Sequence, residues 1–565
     1  VSPTDWAVLG VYLAAIVAYG VWRGGRSRDM RGYLLAGREM RWGTVALSVM
    51  ATQASAITFL STPGQAYADG MRFVQFYFGL PLAMIAIAAL AVPVYHRLGV
   101  FTAYEYLEGR FDLKTRVLTS ALFLLQRGLA AGLTIYAPSL ILSTILGWDI
   151  GITIAIIGGS VVIFTTSGGT RAVSRTHVLQ AVIILAGMTA AFAALVLALP
   201  DGVGFLDAMR VAGKAGKLNA IDLSFDLNNR YTLWSGLIGG FFLQLSYFGT
   251  DQSQVQRYLT GTSVAQSRLG LLFNGLAKVP MQFAILLLGA AVFAFYQFTP
   301  PPVFFNPRAL EQARAADAGG ALRALEAGWA DAAAARAARA GELARALDDG
   351  PPAAAAEAER RYREASARAD AVRSEAIAAI RAADPASGAG DTNYVFLSFV
   401  VGHLPAGLVG LVLAAVLAAS MNASSAELNA LASTTVVDVY RRLIRKNADE
   451  RHYVVVSRLA TAGWGAFAIA FAEHAGRLGS LVEAVNILGS LFYGTILGVF
   501  LVAFLLKKVG GTAVFAAALI GEAAVLAAWA TTAVSFLWYN VIGCAVVVVA
   551  ALAITALRRP EPAAS

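Results

Sequence analysis

The chain has a single cysteine, Cys544, in 565 residues, which excludes a disulfide framework and a cysteine-based metal site. Its five histidines give a metal hydrolase little to work with. No phosphate-binding loop, His-Glu-x-x-His helix or Gly-x-Ser-x-Gly turn occurs, so the usual sequence markers of an enzyme are missing. Above all, the chain is short of charge. Only 14% of its residues are Asp, Glu, Lys or Arg, and 58% are hydrophobic, whereas a soluble domain carries roughly 25% charged residues. Too few charges remain to coat a water-facing surface of this size, and the mean hydropathy is +0.64. Lipid is therefore the expected solvent for most of the chain. The formal net charge of +9 raises nucleic acid as a partner. The basic residues sit in short loops between apolar runs, however, which favours a lipid bilayer and no nucleic acid.

What is present is a series of apolar runs of about twenty residues, the length that crosses ~30 Å of hydrocarbon. Backbone polar groups inside lipid must be satisfied within the protein, so each run is read as a helix. Thirteen spans are expected, at 5–23, 42–64, 72–96, 116–146, 150–166, 175–199, 231–256, 269–297, 404–434, 453–473, 481–506, 511–532 and 536–557. Residues 1–5 carry no positive charge and the first run ends in Arg23, so a retained first helix is expected rather than a cleaved leader. The basic clusters are Arg23, Arg26, Arg28, Arg31, Arg38 and Arg41; Arg97, Arg110, Lys114 and Arg116; Arg441, Arg442, Arg445, Lys446 and Arg451; Lys507 and Lys508; and Arg558 and Arg559. Thirteen spans put all of them on one side. The positive-inside rule makes that side cytoplasmic, with the N-terminus outside, the C-terminus inside and the inner cell membrane as location.

Residues 305–390 do not belong in lipid: they are rich in Ala, Arg and Glu, a helix-forming composition. Gly350-Pro351-Pro352 breaks the segment, predicting two soluble helices at about 308–348 and 353–382 on the outside face. Opposite charges alternate along them, as on a solvated helical surface. A tolerated loop insertion and a partner-binding hairpin both fit. The organisation expected is a first transmembrane region over residues 1–300, an extracytoplasmic helical insertion over 301–390 and a second transmembrane region over 391–565.

Two spans carry dense polar interruptions at mid-membrane depth. One is Thr52-Gln53-Ala54-Ser55-Ala56-Ile57-Thr58, and the other runs from Ser420 to Asn429. Small polar residues can glue helices together. Two such stretches in the two halves of a chain instead point to unwound segments that line a transporter's binding site.

Further stretches carry a resemblance. They are His403-Leu404-Pro405-Ala406-Gly407-Leu408-Val409-Gly410-Leu411 leading to Val437-Asp438-Val439-Tyr440, Phe248-Gly249-Thr250-Asp251-Gln252, Gly168-Gly169-Thr170-Arg171-Ala172-Val173 and Tyr493-Gly494-Thr495-Ile496-Leu497-Gly498. In order and spacing they resemble the sodium/solute symporter family over nearly the whole chain except 301–390. The resemblance implies an all-α polytopic membrane protein with a five-plus-five inverted-repeat core, one helix before it and two after. It also implies a sodium site between the first and eighth core helices. By position its ligands would be the carbonyls of Ala51, Ala54 and Ala419 with the side chain of Asn422, and Ser424 or Ser425 would supply the hydroxyl that Ala423 lacks. Members with a second sodium site have aspartate where this chain has His177, in Thr176-His177-Val178-Leu179-Gln180. Glu427 has appeared on the eighth core helix, so His177 and Glu427 are paired as a titratable coupling site.

Arg127 is the candidate anion anchor, as in sialic-acid-transporting members, because a guanidinium offers paired donors to a carboxylate. Gln53, Ser55, Thr58, Phe73, Gln75, Gln244 and Tyr247 are the other candidate solute contacts, and Lys278 is expected to snorkel. The function expected is cation-coupled symport, with sodium as the ion, of a small polar metabolite that is carboxylated or polyhydroxylated. The alternatives are proton-coupled symport of a carboxylate and a transporter-fold sensor without transport. The partners expected are a small-molecule solute and the bilayer.

Overall fold

A computed structural model of the chain describes residues 1–24, 29–317, 319–383, 390–475 and 480–557. Arg26, Arg28, Arg558 and Arg559, and the side chains of Arg23 and of 168–173, lie outside the described residues. Every regular element described is a helix, apart from an isolated bridge between Met40 and Gly261. The main helices are α1 (Pro3–Gly24), α2 (Trp42–Gln53), α3 (Ala56–Asp69), α4 (Leu80–Leu98), α5 (Leu113–Leu146), α6 (Ile150–Leu197), α7 (Gly240–Gly249), α8 (Gln252–Tyr258) and α9 (Val264–Phe298). Next come α10 (Ala321–Asp349), α11 (Pro352–Ala383), α12 (Leu408–Thr434), α13 (Glu450–Ala472), α14 (Leu481–Leu505), α15 (Gly511–Thr531) and α16 (Phe536–Leu557).

Ten segments among the described residues are long and apolar enough to cross a membrane. The other three of the thirteen expected crossings are α1 and two interrupted ones, α2–α3 and α7–α8. An interrupted crossing falls short because each half is too short to span alone. Element α6 runs for 48 residues, and as a straight helix it would be about 70 Å long. Its two apolar limbs, Ile150–Ser167 and Leu179–Leu197, instead both reach the same face. Gly158 lies against Ile135 and Ile469, and Gly187 lies against Leu411 and Ala415. Thr165 and His177, between those glycines, touch the deeper residues Ser425 and Ser48.

The connections separate cleanly by face. On one, Met30 bonds to Glu450, Arg442 to Glu108, and Arg110 to the carbonyl of Leu506. This is the face of the basic clusters. On the other, Asp5 accepts from the backbone of Gly407 and Gly410, and the hairpin α10–α11 covers the ends of α3 and α9.

The two interruptions have local causes. At Ala54 and Ser55 the backbone leaves the helix (ψ 71° and 173°), and α3 restarts at Ala56. At Thr250–Asp251 it leaves again, and the Asp251 carboxylate caps α8 through the Ser253 N–H at 2.8 Å. The second break expected from composition, at 420–429, does not exist. There α12 is one continuous helix with every residue buried except Leu408 and Leu411. Its Ala and Ser side chains are small enough for close helix contact, so polarity there serves packing as well as the site. The partner of the first break is the sixth core helix, α7–α8. Close approach also seats the broken helix, since a Cβ on Gly289 of α9 would stand 2.2 Å from the Pro63 carbonyl oxygen.

The insertion folds as Pro307–Ala316, α10 and α11. Gly320 (φ 72°) interrupts the single helix expected over 308–348. Trp329, Leu322, Ile380 and Phe304 fill its core, and the Trp329 indole donates to the Pro301 carbonyl at 2.9 Å.

Candidate functional site

The two breaks face one another across a cavity in the middle of the helix bundle. Thr52, Gln53, Ser55 and Thr58 line it from α2–α3, and Gln244 and Tyr247 from α7. Gln126, Arg127 and Thr134 line it from α5, Ala423 and Glu427 from α12, and Asn486 and Tyr493 from α14. Of the expected solute contacts, Gln53, Ser55, Thr58, Arg127, Gln244 and Tyr247 thus share one chamber. Phe73 and Gln75 do not. Phe73 is packed among Phe76, Tyr77 and Tyr231. Gln75 donates to the Tyr231 carbonyl and accepts from the Asp222 N–H at 2.9 Å. Both hold the connection before α7 in place, since the turn Gly70–Tyr77 tilts them away from the chamber.

Arg127 is the centre of the chamber. It is 3% exposed, donates Nη1 to Glu427 Oε1 at 3.0 Å, and donates Nη2 to Asp251 and to the Tyr493 hydroxyl. Its guanidinium lies 5.3 Å from the centre of the Tyr247 ring. Tyr493 donates in turn to Asp251 Oδ2 at 3.1 Å. One guanidinium faces two acidic side chains, so the buried cluster has more acids than cations. Glu427 Oε2 has no partner among the described residues.

The expected pair of His177 and Glu427 is not formed. His177 Nδ1 lies 3.0 Å from the Ser48 hydroxyl, and the ring borders the backbone of Asn422. Glu427 is five residues further along α12. That turns it by about 140° on a helix of 3.6 residues per turn, toward α5 and away from α6. Lys278 does not snorkel. It is fully buried, its ammonium lacks a hydrogen-bond partner among the described residues, and it sits 5.7 Å from the Tyr77 ring centre.

The expected cation ligands lie along the contact between α2 and α12. Ala54 is at the break, where its carbonyl is released from helix bonding. Ala419 and Asn422 are buried on α12, and Asn422 Nδ2 is unpaired among the described residues. The Ser425 hydroxyl accepts from Thr165 at 3.0 Å. The Ala51 and Ala54 methyl groups face a separate apolar cavity with Met50, Phe59, Ile184 and Met188. An all-oxygen donor set of this kind suits a hard cation.

Polar links join the helices on both sides of the chamber. Toward the hairpin, Glu483 at the start of α14 binds Arg230, accepts from the Tyr231 hydroxyl at 2.9 Å and accepts from Gln65 of α3 at 3.3 Å. Toward the basic face, Asp438 accepts from Arg116 at 2.7 Å and from the Thr102 hydroxyl at 2.8 Å.

A family model described as the sodium:solute symporter family matches residues 33–320 and 372–521. The chain belongs to the sodium:solute symporter family. What the model leaves unmatched in the interior, 321–371, is most of the hairpin. Among relatives of this chain, the sodium-coupled monocarboxylate transporter 1 of Xenopus laevis is 32% identical over 295 residues, covering 52% of this chain and 46% of that one. The human sodium/iodide cotransporter is 32% identical over 300 residues, covering 53% and 46%. The rabbit (Oryctolagus cuniculus) sodium-dependent multivitamin transporter is 32% identical over 306 residues, covering 53% and 47%. The chain therefore spans about half the length of the curated relatives it matches. A Na+-coupled sialic acid symporter, solved substrate-bound and outward-open, superposes with a TM-score of 0.75 at 23% identity over 98% of both chains. That likeness shows the fold, a ten-helix core flanked by extra helices.

Asp251, Tyr493 and Glu483 are the site residues that sequence reading missed. Asp251 carried a usable signal, because an acid inside an apolar span is a functional candidate by default. Glu483 had none, since its partners come from segments about 250 and 420 residues away.

Proposed function

We propose that the chain is a secondary active transporter that moves a small organic acid together with sodium by alternating access. The observation that carries this reading is Arg127, a guanidinium inside the central chamber whose Nη1 is held only by Glu427. A solute carboxylate takes the place of Glu427 there, because a charge-assisted bond of the same geometry replaces the one lost. A solute anion brought in beside two acidic side chains makes that exchange depend on a cation. An added anion at ~8 Å from an uncompensated charge, at an effective dielectric of ~20, costs about 2 kcal/mol, or roughly 30-fold in affinity. Sodium held by the carbonyls of Ala51, Ala54 and Ala419 with Asn422 and Ser425 removes the penalty. The names of the monocarboxylate and multivitamin relatives support both the ion and the acid.

The Glu483 and Asp438 links, both formed here, act in this reading as alternate gates, each opening in turn while the other holds. The basic clusters favour the hairpin face as the outside, with the N-terminus outside and the C-terminus in the cytoplasm.

The test is a thermal-shift screen of purified protein against mono- and dicarboxylates, sugars and amino acids in sodium and in potassium. A carboxylate whose stabilisation of wild type is larger in sodium than in potassium, with that sodium-dependent part missing from Arg127→Gln, is the expected result. Carboxylate shifts with no sodium-dependent part, or with a sodium-dependent part unchanged in Arg127→Gln, would overturn it.

A further inference from the structure

A second cavity lies beneath the hairpin, between the end of α3 and the inner side of α10–α11. Its floor is Tyr67, Ala68 and Phe293, and its walls include Lys217, Arg336 and Tyr362. Five cations line it, with one acid, Asp370. Three of the five are already paired: Lys214 and Arg363 share Glu359, and Arg373 binds Asp391 at 2.6 Å.

The other two are not. Arg336 is 5% exposed; it donates Nη2 to the Tyr296 carbonyl at 3.2 Å, lies 5.5 Å from the Trp329 ring centre, and has no partner for Nε among the described residues. Lys217 donates to the Ala68 carbonyl and sits 4.9 Å from the Phe293 ring centre. Neither has a carboxylate within ion-pair distance among the described residues. Burial holds Lys217 below the usual lysine range; the more distant Asp69 and Asp370 oppose that shift and Arg72 adds to it. An unpaired, partly buried cation is costly, so a site with two of them gains most from an anion.

We infer that this cavity binds a small organic anion, a mono- or dicarboxylate, before it reaches the central chamber. Its floor is the last turn of α3, the half-helix that begins at the Ser55 break. An anion resting on Lys217 is therefore one helix length, about 20 Å, from the chamber. Arg336, Tyr362 and Asp370 all fall within the stretch that the family model does not match, so one side of the site belongs to this chain's own insertion. The solute class rests on the proposed function; the binding itself does not.

The experiment is calorimetry of the full chain in phosphatidylcholine nanodiscs, titrated with succinate in sodium-free potassium buffer, with uncharged succinamide as the control. Succinate binds wild type and succinamide does not. Binding weakens at least tenfold in Lys217→Gln and in Arg336→Gln, the loss of one charge-assisted contact. It stays within about threefold of wild type in Arg336→Lys, which keeps the charge and reports that the hairpin is folded. It is unchanged in Arg127→Gln.

No binding to wild type, an isotherm unaltered by Lys217→Gln, or a loss in Arg127→Gln would each overturn the inference. So would loss of succinate binding in phosphatidylglycerol nanodiscs, because a lipid headgroup would then be the occupant. Failure of the proposed function reads differently: sodium-dependent carboxylate binding at Arg127 is absent while this sodium-independent binding persists.

Discussion

Arg127 on α5 and Glu427 on α12, 300 residues apart in the chain, meet at 3.0 Å across the central chamber. The contact has a measurable signature because the chamber holds two carboxylates and one guanidinium. Arg127→Met leaves Asp251 and Glu427 buried without their cation. Removing one partner of such a pair costs about 3–5 kcal/mol. Adding Glu427→Gln to Arg127→Met removes one of the two stranded charges and recovers a share of that loss. Thermal midpoints of the two single variants and the double variant in one detergent check this. Strictly additive losses would mean that the two side chains do not interact.

Glu483 is the hub on the hairpin face, tying α14 to α3 and to the segment before α7. Glu483→Gln removes the ion pair with Arg230 and weakens the bond from Tyr231. A cysteine at Ser55, with Cys544 replaced, is then expected to react several-fold faster with a thiol reagent applied from that face. Asp438→Asn is the mirror case and raises the rate from the basic face. Equal rates in all three backgrounds would remove both links from gating.

The orientation is tested at the loop between α10 and α11. A cysteine in place of the exposed Gly350 is expected to be labelled by an impermeant thiol reagent on intact cells, Cys544 again being replaced. Labelling only after lysis would reverse the assignment of faces.

The fold is legible in the sequence because its determinants are local. Twenty-residue apolar runs, loop charge and a proline-marked hairpin need no knowledge of distant contacts. The break at Ala54–Ser55 is readable from Thr52, Gln53 and Ser55 for the same reason. The site is less legible because it is built by rotation and distance. His177 and Glu427 belong to the same pair of packed helices, but five residues of helical turn separate Asn422, which His177 borders, from Glu427. Asp251 stands in a motif that assigns it no role, because nothing in the sequence places the α7–α8 break opposite α5. Gln75 and Phe73 show the converse: polar or aromatic residues near a broken helix read as solute contacts, yet each is satisfied by a loop whose path the sequence does not give.

Lys278 carries the last prediction. It is fully buried on α9 without a hydrogen-bond partner among the described residues. Asn274 and Gln282, one turn to either side, also have unpaired atoms there. A lone ammonium in this setting destabilises the fold, and replacing a buried charge with an apolar side chain of similar length is commonly neutral or stabilising by ~1–4 kcal/mol. Lys278→Met is therefore expected to raise the thermal midpoint. The ammonium sits beside the ring of Tyr77, and Tyr77 is a wall of the central chamber. When protonated, the amine behind that wall adds to the attraction of Arg127 for an anionic solute. The same variant should then lose carboxylate affinity, by several-fold at low salt, while Lys278→Arg keeps it. A Lys278→Met protein that is more stable and binds carboxylate as well as wild type would leave Lys278 without a role in solute selection. One that is less stable would mean that the ammonium is held by a partner, such as water, in the membrane interior.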